Sequence, residues 1–162
     1  MKKRIAIYPG TFDPFTNGHL DLVERGLTMF DTVIVALAPS RKKKPLFSVR
    51  ERISMMNESM NNQDRASVEV FSGLLVDYVK KKGGIAIIRG LRAISDFEFE
   101  LQMALMNRRL HSGIETVFMM PNVEYSFLTA TIVKEIASFG GDITGLVPEP
   151  VENALKEKFK AI

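Results

Sequence analysis

The chain has 162 residues, 46% hydrophobic and 25% charged, which are ordinary globular proportions and suit one domain of roughly 100–200 residues. Its 22 Lys and Arg against 19 Asp and Glu leave a net charge of +3, too weak to suggest a nucleic-acid-coating protein. The absence of cysteine excludes a disulfide framework, thiolate metal sites and a cysteine nucleophile. The opening Met1-Lys2-Lys3-Arg4 is basic, but the apolar run behind it is too short for a signal peptide, and no segment approaches the ~20 apolar residues of a membrane span. A soluble, cytoplasmic protein is expected.

Residues 5–8, Ile-Ala-Ile-Tyr, read as a buried strand stopped by Pro9-Gly10. Leu20, Val23, Leu27 and Phe30 then recur at helical spacing, with Thr16 or Asn17 as the cap. Residues 32–38 form a second apolar strand ended by Pro39, and the basic loop Arg41-Lys42-Lys43-Lys44 follows. Ser48 and Glu51 make a capping box for a helix to about Met60. A third strand covers 68–71, and a helix opening at Leu74 ends at Gly83-Gly84. Residues 85–88 are a fourth strand. Ser95-Asp96-Phe97-Glu98 resembles a second capping box, with Phe97, Leu101, Ala104 and Leu105 as the buried face of its helix. A fifth strand over 116–120 stops at Pro121, and helices follow near 130–138 and 151–160.

Apolar strands alternating with helices predict a parallel sheet covered on both faces. The expected fold is α/β, a single doubly wound, Rossmann-like domain over residues 1–162 with a five-stranded parallel sheet. Ligands in such folds sit beyond the carboxyl ends of the strands. The segments there share one character. After the first strand come Thr11 and, in the first turn of the following helix, His19. After the second comes the basic run 41–44. After the fourth come Arg89 and Arg92, whose planar forks match phosphate oxygens. After the fifth, Ser126, Thr129 and Thr131 gather at a helix start, where free N–H groups favour anions. Singly, each is a cap or a solvated surface; together they point to phosphoryl or nucleotidyl chemistry by electrostatics. There is no G-x-G-x-x-G and no P-loop. The nine methionines read as core filler, and two histidines, His19 and His111, are too few for a His-based metal site.

Thr16-Asn17-Gly18-His19 resembles the T/H-x-G-H motif of the nucleotidyltransferase superfamily related to class I aminoacyl-tRNA synthetases. Residues 8–14, Tyr-Pro-Gly-Thr-Phe-Asp-Pro, resemble the opening of bacterial phosphopantetheine adenylyltransferases. So do Ile88-Arg89-Gly90-Leu91-Arg92-Ala93, the following Asp96 to Glu100, Gly140-Gly141-Asp142 and Leu146-Val147-Pro148. The resemblance covers essentially the whole chain. It implies that the AMP moiety of ATP is moved onto 4′-phosphopantetheine by in-line attack, giving dephospho-coenzyme A and pyrophosphate, the penultimate step of coenzyme A synthesis. It further implies Mg²⁺ as cofactor, a homohexamer, and coenzyme A as feedback inhibitor; the protein ligands of the metal stay open.

Carried onto this sequence, the resemblance makes His19, Thr11, Lys43 and Arg92 catalytic. His19 contacts the ATP α-phosphate, and Thr11 orients the attacking phosphate. Lys43, with Lys42 and Lys44 as the alternative registers, binds that phosphate together with Arg89. Leu75 lies along the pantetheine arm. Phe12, Gly90, Leu91, Arg92 and Glu100 line the ATP site with Thr11 and His19. Tyr125, Ser126, Phe127, Leu128, Thr129, Ala130 and Thr131 supply the helix N-terminus that cradles pyrophosphate. Two departures stand out. Ala130 lacks a hydroxyl where the superfamily commonly has a serine, in a stretch that ends in the base Lys134, and Phe99 stands where a tyrosine is frequent. The alternatives are a related transferase with another phosphorylated acceptor, such as nicotinamide mononucleotide, or a non-catalytic ATP sensor. No nucleic-acid or membrane partner is expected, since the charge is weak and no stacking-aromatic motif appears.

Overall fold

The computed structural model describes residues 3–39, 44–92 and 94–160, with the side chains of 94–96 set aside. Five strands, β1 (Ile5–Gly10), β2 (Thr32–Leu37), β3 (Ala66–Val70), β4 (Ala86–Gly90) and β5 (Glu115–Met119), form one sheet in the order β3-β2-β1-β4-β5. Every pairing is parallel. The helices are α1 (Asn17–Met29), α2 (Val49–Ser59), α3 (Leu75–Lys81), α4 (Ile94–Leu110), α5 (Ala130–Ser138) and α6 (Glu149–Lys160), with a 3₁₀ turn at Val123–Tyr125. This is the doubly wound α/β sheet that the apolar strands predict.

The period of two along each strand divides the core. Ala6, Tyr8, Val33, Val35 and Ile88 pack with residues of α1, α2, α5 and α6, among them Leu22, Met56, Val133 and Leu155. Ile7, Ile34, Ala36 and Ile87 face the other way, onto Val76 and Val79 of α3. The first cluster is much the larger.

The chain order reverses between β1 and β4, and the sheet opens there. β1 pairs with β2 along all six residues, but with β4 only at Ala6 and Ile7. The sequence reading stopped β1 at Tyr8. The strand instead runs through Pro9 and Gly10, because its β2 edge keeps pairing with Ala36 and Leu37. The Pro9 carbonyl accepts Arg89 Nη1 at 3.1 Å, so the side of Pro9 that lacks an N–H is the β4 side, where no ladder needs one.

Three further expectations are corrected. Arg89 and Gly90 do not follow the fourth strand; they are its last two residues, paired with Phe118 and Met119. Ser95 does not precede its helix, since α4 begins at Ile94. The apolar residues of α4 are not its buried face. Phe97, Leu101 and Leu105 are exposed, while Glu100 and Asn107 are buried with Ala104 between them. The inward stripe at i, i+4 and i+7 is therefore mostly polar, for reasons the site explains.

α1 approaches the sheet closely at Gly26. A Cβ there would lie 2.8 Å from Ile88 Cδ1 and 3.1 Å from Val33 Cγ2. Gly26→Val should cost about 1–3 kcal/mol by overpacking, read as a lower midpoint in urea at unchanged slope.

Candidate active site

The turn from β1 into α1 is built on a reciprocal cap. Thr16 is the N-cap of α1, and its side chain accepts the His19 N–H at 3.4 Å. In return the Thr16 backbone N–H donates to His19 Nδ1 at 2.9 Å. This is a capping box with histidine in the usual Glu or Gln place. An Nδ1 that accepts leaves the ring proton on Nε2. The ring stacks on Phe15 at 5.6 Å and meets the edge of Phe12 at 5.1 Å. Burial, and then the charge of Arg92, push its pKa down to about 4. At neutral pH His19 is an uncharged donor through Nε2.

Arg89 is fixed by the strand that carries it. Its Nε donates to Glu100 Oε2 at 2.7 Å and its Nη2 to Glu100 Oε1 at 2.5 Å, a two-pronged ion pair. Burial works against the charge, but the Glu100 carboxylate outweighs it and the pKa of Arg89 is raised. With Nη1 on Pro9, three of its five N–H groups are committed. Arg92 Nη1 points to the Leu128 carbonyl at 3.5 Å. Gly90 is needed where it stands, because a Cβ would lie 2.6 Å from Leu22 Cδ1.

These groups line one cleft of about 220 Å³ at the opening between β1 and β4. Of the residues anticipated for ATP, it gathers Phe12, His19, Gly90, Arg92, Glu100, Tyr125 and Leu128, and it adds Arg89. A second cleft of about 100 Å³ is lined by Leu75, Arg89, Phe99, Glu100, Met103, Ala104, Asn107 and Thr116. Arg89 and Glu100 are the residues common to both.

Other anticipated residues stand outside the linings. Thr11 is exposed, just past the end of β1. Leu91 is tied to β5 by its N–H on the Met119 carbonyl. Ser126 Oγ donates to the Val123 carbonyl, and Phe127 is exposed. Thr129 is the N-cap of α5 and accepts the Ile132 N–H at 3.0 Å. The N–H groups of Ala130 and Thr131, in the first turn, have no partner among the described residues. At position 130 the backbone is thus open even though the hydroxyl is absent. Lys42 and Lys43 lie outside the described residues; Lys44 is exposed.

Three residues escaped the sequence reading. Tyr8 lines the first cleft, and burial outweighs the nearby Arg89 and Arg92 to raise its pKa. Asn107 is buried, yet its carboxamide makes no hydrogen bond among the described residues and it faces the second cleft. An asparagine inside Ala104-Leu105-Met106-Asn107 was the signal available for it. Asp13 accepts the N–H groups of Leu46 at 3.0 Å and Phe47 at 2.9 Å, and Lys134 Nζ at 2.9 Å. Burial favours its neutral form, but Lys134 and the two amides outweigh it and the pKa is lowered. Asp13 thereby ties the end of the basic loop and α5 to the first turn.

Comparison with known proteins matches residues 7–136 to the family described as cytidylyltransferase-like. A phosphopantetheine adenylyltransferase of Thermodesulfovibrio yellowstonii is 56% identical over 97% of this chain and 98% of its own length. One from Geotalea daltonii is 54% identical over 98% and 99%. One from Carboxydothermus hydrogenoformans is 52% identical over 97% of both.

The lowered pKa sets a pH dependence. Between about 4 and 6.5 the unfolded chain binds the proton that folded His19 refuses, so stability rises with pH across that window and is lost below it. In the ligand-free protein the His19 ring signals should stay at their neutral position from about pH 8 to about pH 5, read by NMR with His111→Asn used for assignment. Titration near the ordinary histidine value would contradict the neutral, half-buried ring.

Proposed function

The chain belongs to the phosphopantetheine adenylyltransferase family among cytidylyltransferase-like proteins, and we propose that its two clefts hold the two substrates on either side of Arg89. The enzyme transfers the adenylyl group of ATP to 4′-phosphopantetheine, giving dephospho-coenzyme A and pyrophosphate. ATP occupies the first cleft. Phosphopantetheine occupies the second, with its phosphate at Arg89 and its amide-bearing arm along Leu75 and the carboxamide of Asn107. The observation that carries this arrangement is that both clefts share Arg89 and Glu100.

The chemistry needs no general base. The nucleophile is a phosphate oxygen already anionic at neutral pH. It attacks the α-phosphorus of ATP; the new P–O bond forms as the α–β P–O bond breaks, and the electron pair leaves with pyrophosphate. Aligning two bound reactants lowers the barrier by about 7–11 kcal/mol. Donors aimed at developing charge add roughly 3–4 kcal/mol each when removed singly. His19 gives Nε2–H to an α-phosphate oxygen. Thr11 orients the attacking phosphate, and Lys43 joins Arg89 on it. Arg92 reaches the triphosphate tail, and the open N–H groups of Ala130 and Thr131 receive the pyrophosphate. Mg²⁺ would be held by the triphosphate rather than by the protein, and would neutralise phosphate charge there. Among the described residues no group of three or more acidic or imidazole side chains gathers to hold a cation, and the first cleft's carboxylate, Glu100, is engaged by Arg89.

We further propose a homohexamer, inhibition by coenzyme A through the second cleft, and a cytoplasmic setting; no described helix is long and apolar enough to cross a membrane. The outer face of α4 supports assembly, since Phe97, Leu101, Leu105, Met106 and Leu110 are left in water by a single chain.

The test is pyrophosphate release from Mg²⁺ and ATP with and without 4′-phosphopantetheine. Release should depend on the acceptor; release without it, or none with it, refutes the reading. His19→Ala should lower kcat by about 10²-fold or more while ATP affinity changes only a few-fold. For assembly, Leu105→Lys should shift sedimentation toward smaller species, and unchanged sedimentation would remove α4 from the interface.

A further inference from the structure

Arg52 is an arginine of α2 that is 2% exposed, and among the described residues no carboxylate pairs with it. A buried cation without a counter-charge is costly and calls for a reason. Its hydrogen bonds go to two backbone carbonyls. Nη1 donates to Thr11 at 2.7 Å, and Nε to Ser48, the N-cap of its own helix, at 3.4 Å. Arg52 therefore acts on the turn after β1 from beneath, with a short charge-assisted bond.

That bond fixes a peptide plane. The Thr11–Phe12 peptide is trans; among the described residues only Asp13-Pro14 is cis. In a trans peptide the C=O and N–H point in opposite directions. With the Thr11 carbonyl held toward Arg52, the Phe12 N–H is turned away from α2. It finds no acceptor among the described residues. Phe12 also has φ +50, an unusual conformation for a side chain that is not glycine, asparagine or aspartate. Its ring is buried against Tyr8 and His19 and lines the first cleft. The turn is thus held in a conformation the residue would not choose, with one donor left open.

We propose that Arg52 is a positioning residue for the nucleotide: by clamping the Thr11 carbonyl it presents the Phe12 N–H to an ATP phosphate, and its uncancelled charge adds to the attraction. This rests on the reading of the first cleft as the ATP site. It separates Arg52 from a residue that merely stabilises the fold, because the larger effect falls on ATP: the clamp holds the Thr11 carbonyl and so the Phe12 N–H, not the Thr11 side chain that meets the attacking phosphate.

The experiment is calorimetric titration of Mg²⁺-ATP and, separately, 4′-phosphopantetheine into the full chain and its variants. Arg52→Met keeps the apolar stem and removes donor and charge. It should weaken ATP binding about ten- to hundredfold and phosphopantetheine binding by about threefold at most. Arg52→Lys, which keeps the charge and one donor, should recover most of the loss. Arg52→Gln keeps one donor without the charge; should Arg52→Met fail to fold, the same split is expected of it. ATP affinity within about twofold of wild type in Arg52→Met, or in Arg52→Gln where Arg52→Met does not fold, overturns the assignment, as does an equal loss for both ligands. Wild-type chain that binds phosphopantetheine but not ATP overturns the reading of the cleft itself.

Discussion

The Thr16 backbone N–H donates to His19 Nδ1, and the first cleft depends on that bond. It satisfies a backbone donor at the start of α1, as any good cap does. It also decides which ring nitrogen carries the proton, and so turns a structural bond into a chemical one. Burial between Phe12 and Phe15, with Arg92 nearby, keeps the ring neutral. A neutral donor suits a site that already holds two guanidinium groups. Another fixed cation would cost more desolvation in this cleft than an N–H dipole does.

The second constraint is the parting of β1 from β4 after Ile7. Sheets of this topology open where the chain order reverses, and the opening must be lined by whatever the strand ends carry. Here β4 ends in Arg89-Gly90. The arginine spans the gap to Pro9, and the glycine lets Leu22 of α1 come close. Arg89 needs a partner to hold its fork, and Glu100 supplies both carboxylate oxygens. This explains the odd patterning of α4. Its inward positions are taken by Glu100 and Asn107, which serve the clefts, so its apolar residues are left on the outside.

The surroundings of the first cleft come from several elements, tied together by side-chain hydrogen bonds between segments far apart in the chain. Asp13 gathers the Leu46 and Phe47 amides and Lys134, joining the basic loop's end and α5 to the first turn. Asp21 of α1 accepts the Asn122 N–H at 2.9 Å, fixing the segment that carries Tyr125. The Asn17 carboxamide donates to the Gly145 carbonyl at 2.7 Å, so the segment before α6 braces the same helix start that His19 occupies.

The sequence by itself determined the element order, the parallel sheet and several of the residues that line the first cleft. These are written in local signals: apolar runs for strands, 3.6-residue spacing for helices, and Ser48, Thr16 and Thr129 as caps that their own helix ends demand. What it could not determine rests on contacts between residues far apart in the chain. The extension of β1 through Pro9 depends on β2 pairing on one edge and on the lost β4 ladder on the other. The inversion of α4 depends on Arg89 eleven residues earlier, because an apolar stripe reads the same whether a core or a second chain covers it. Arg52 reads as an ordinary surface residue of an amphipathic helix until Thr11, 41 positions away, brings its carbonyl to the guanidinium. Tertiary structure alone decided these, because a hydrogen bond or an ion pair requires proximity, and only the folded sheet makes distant residues neighbours.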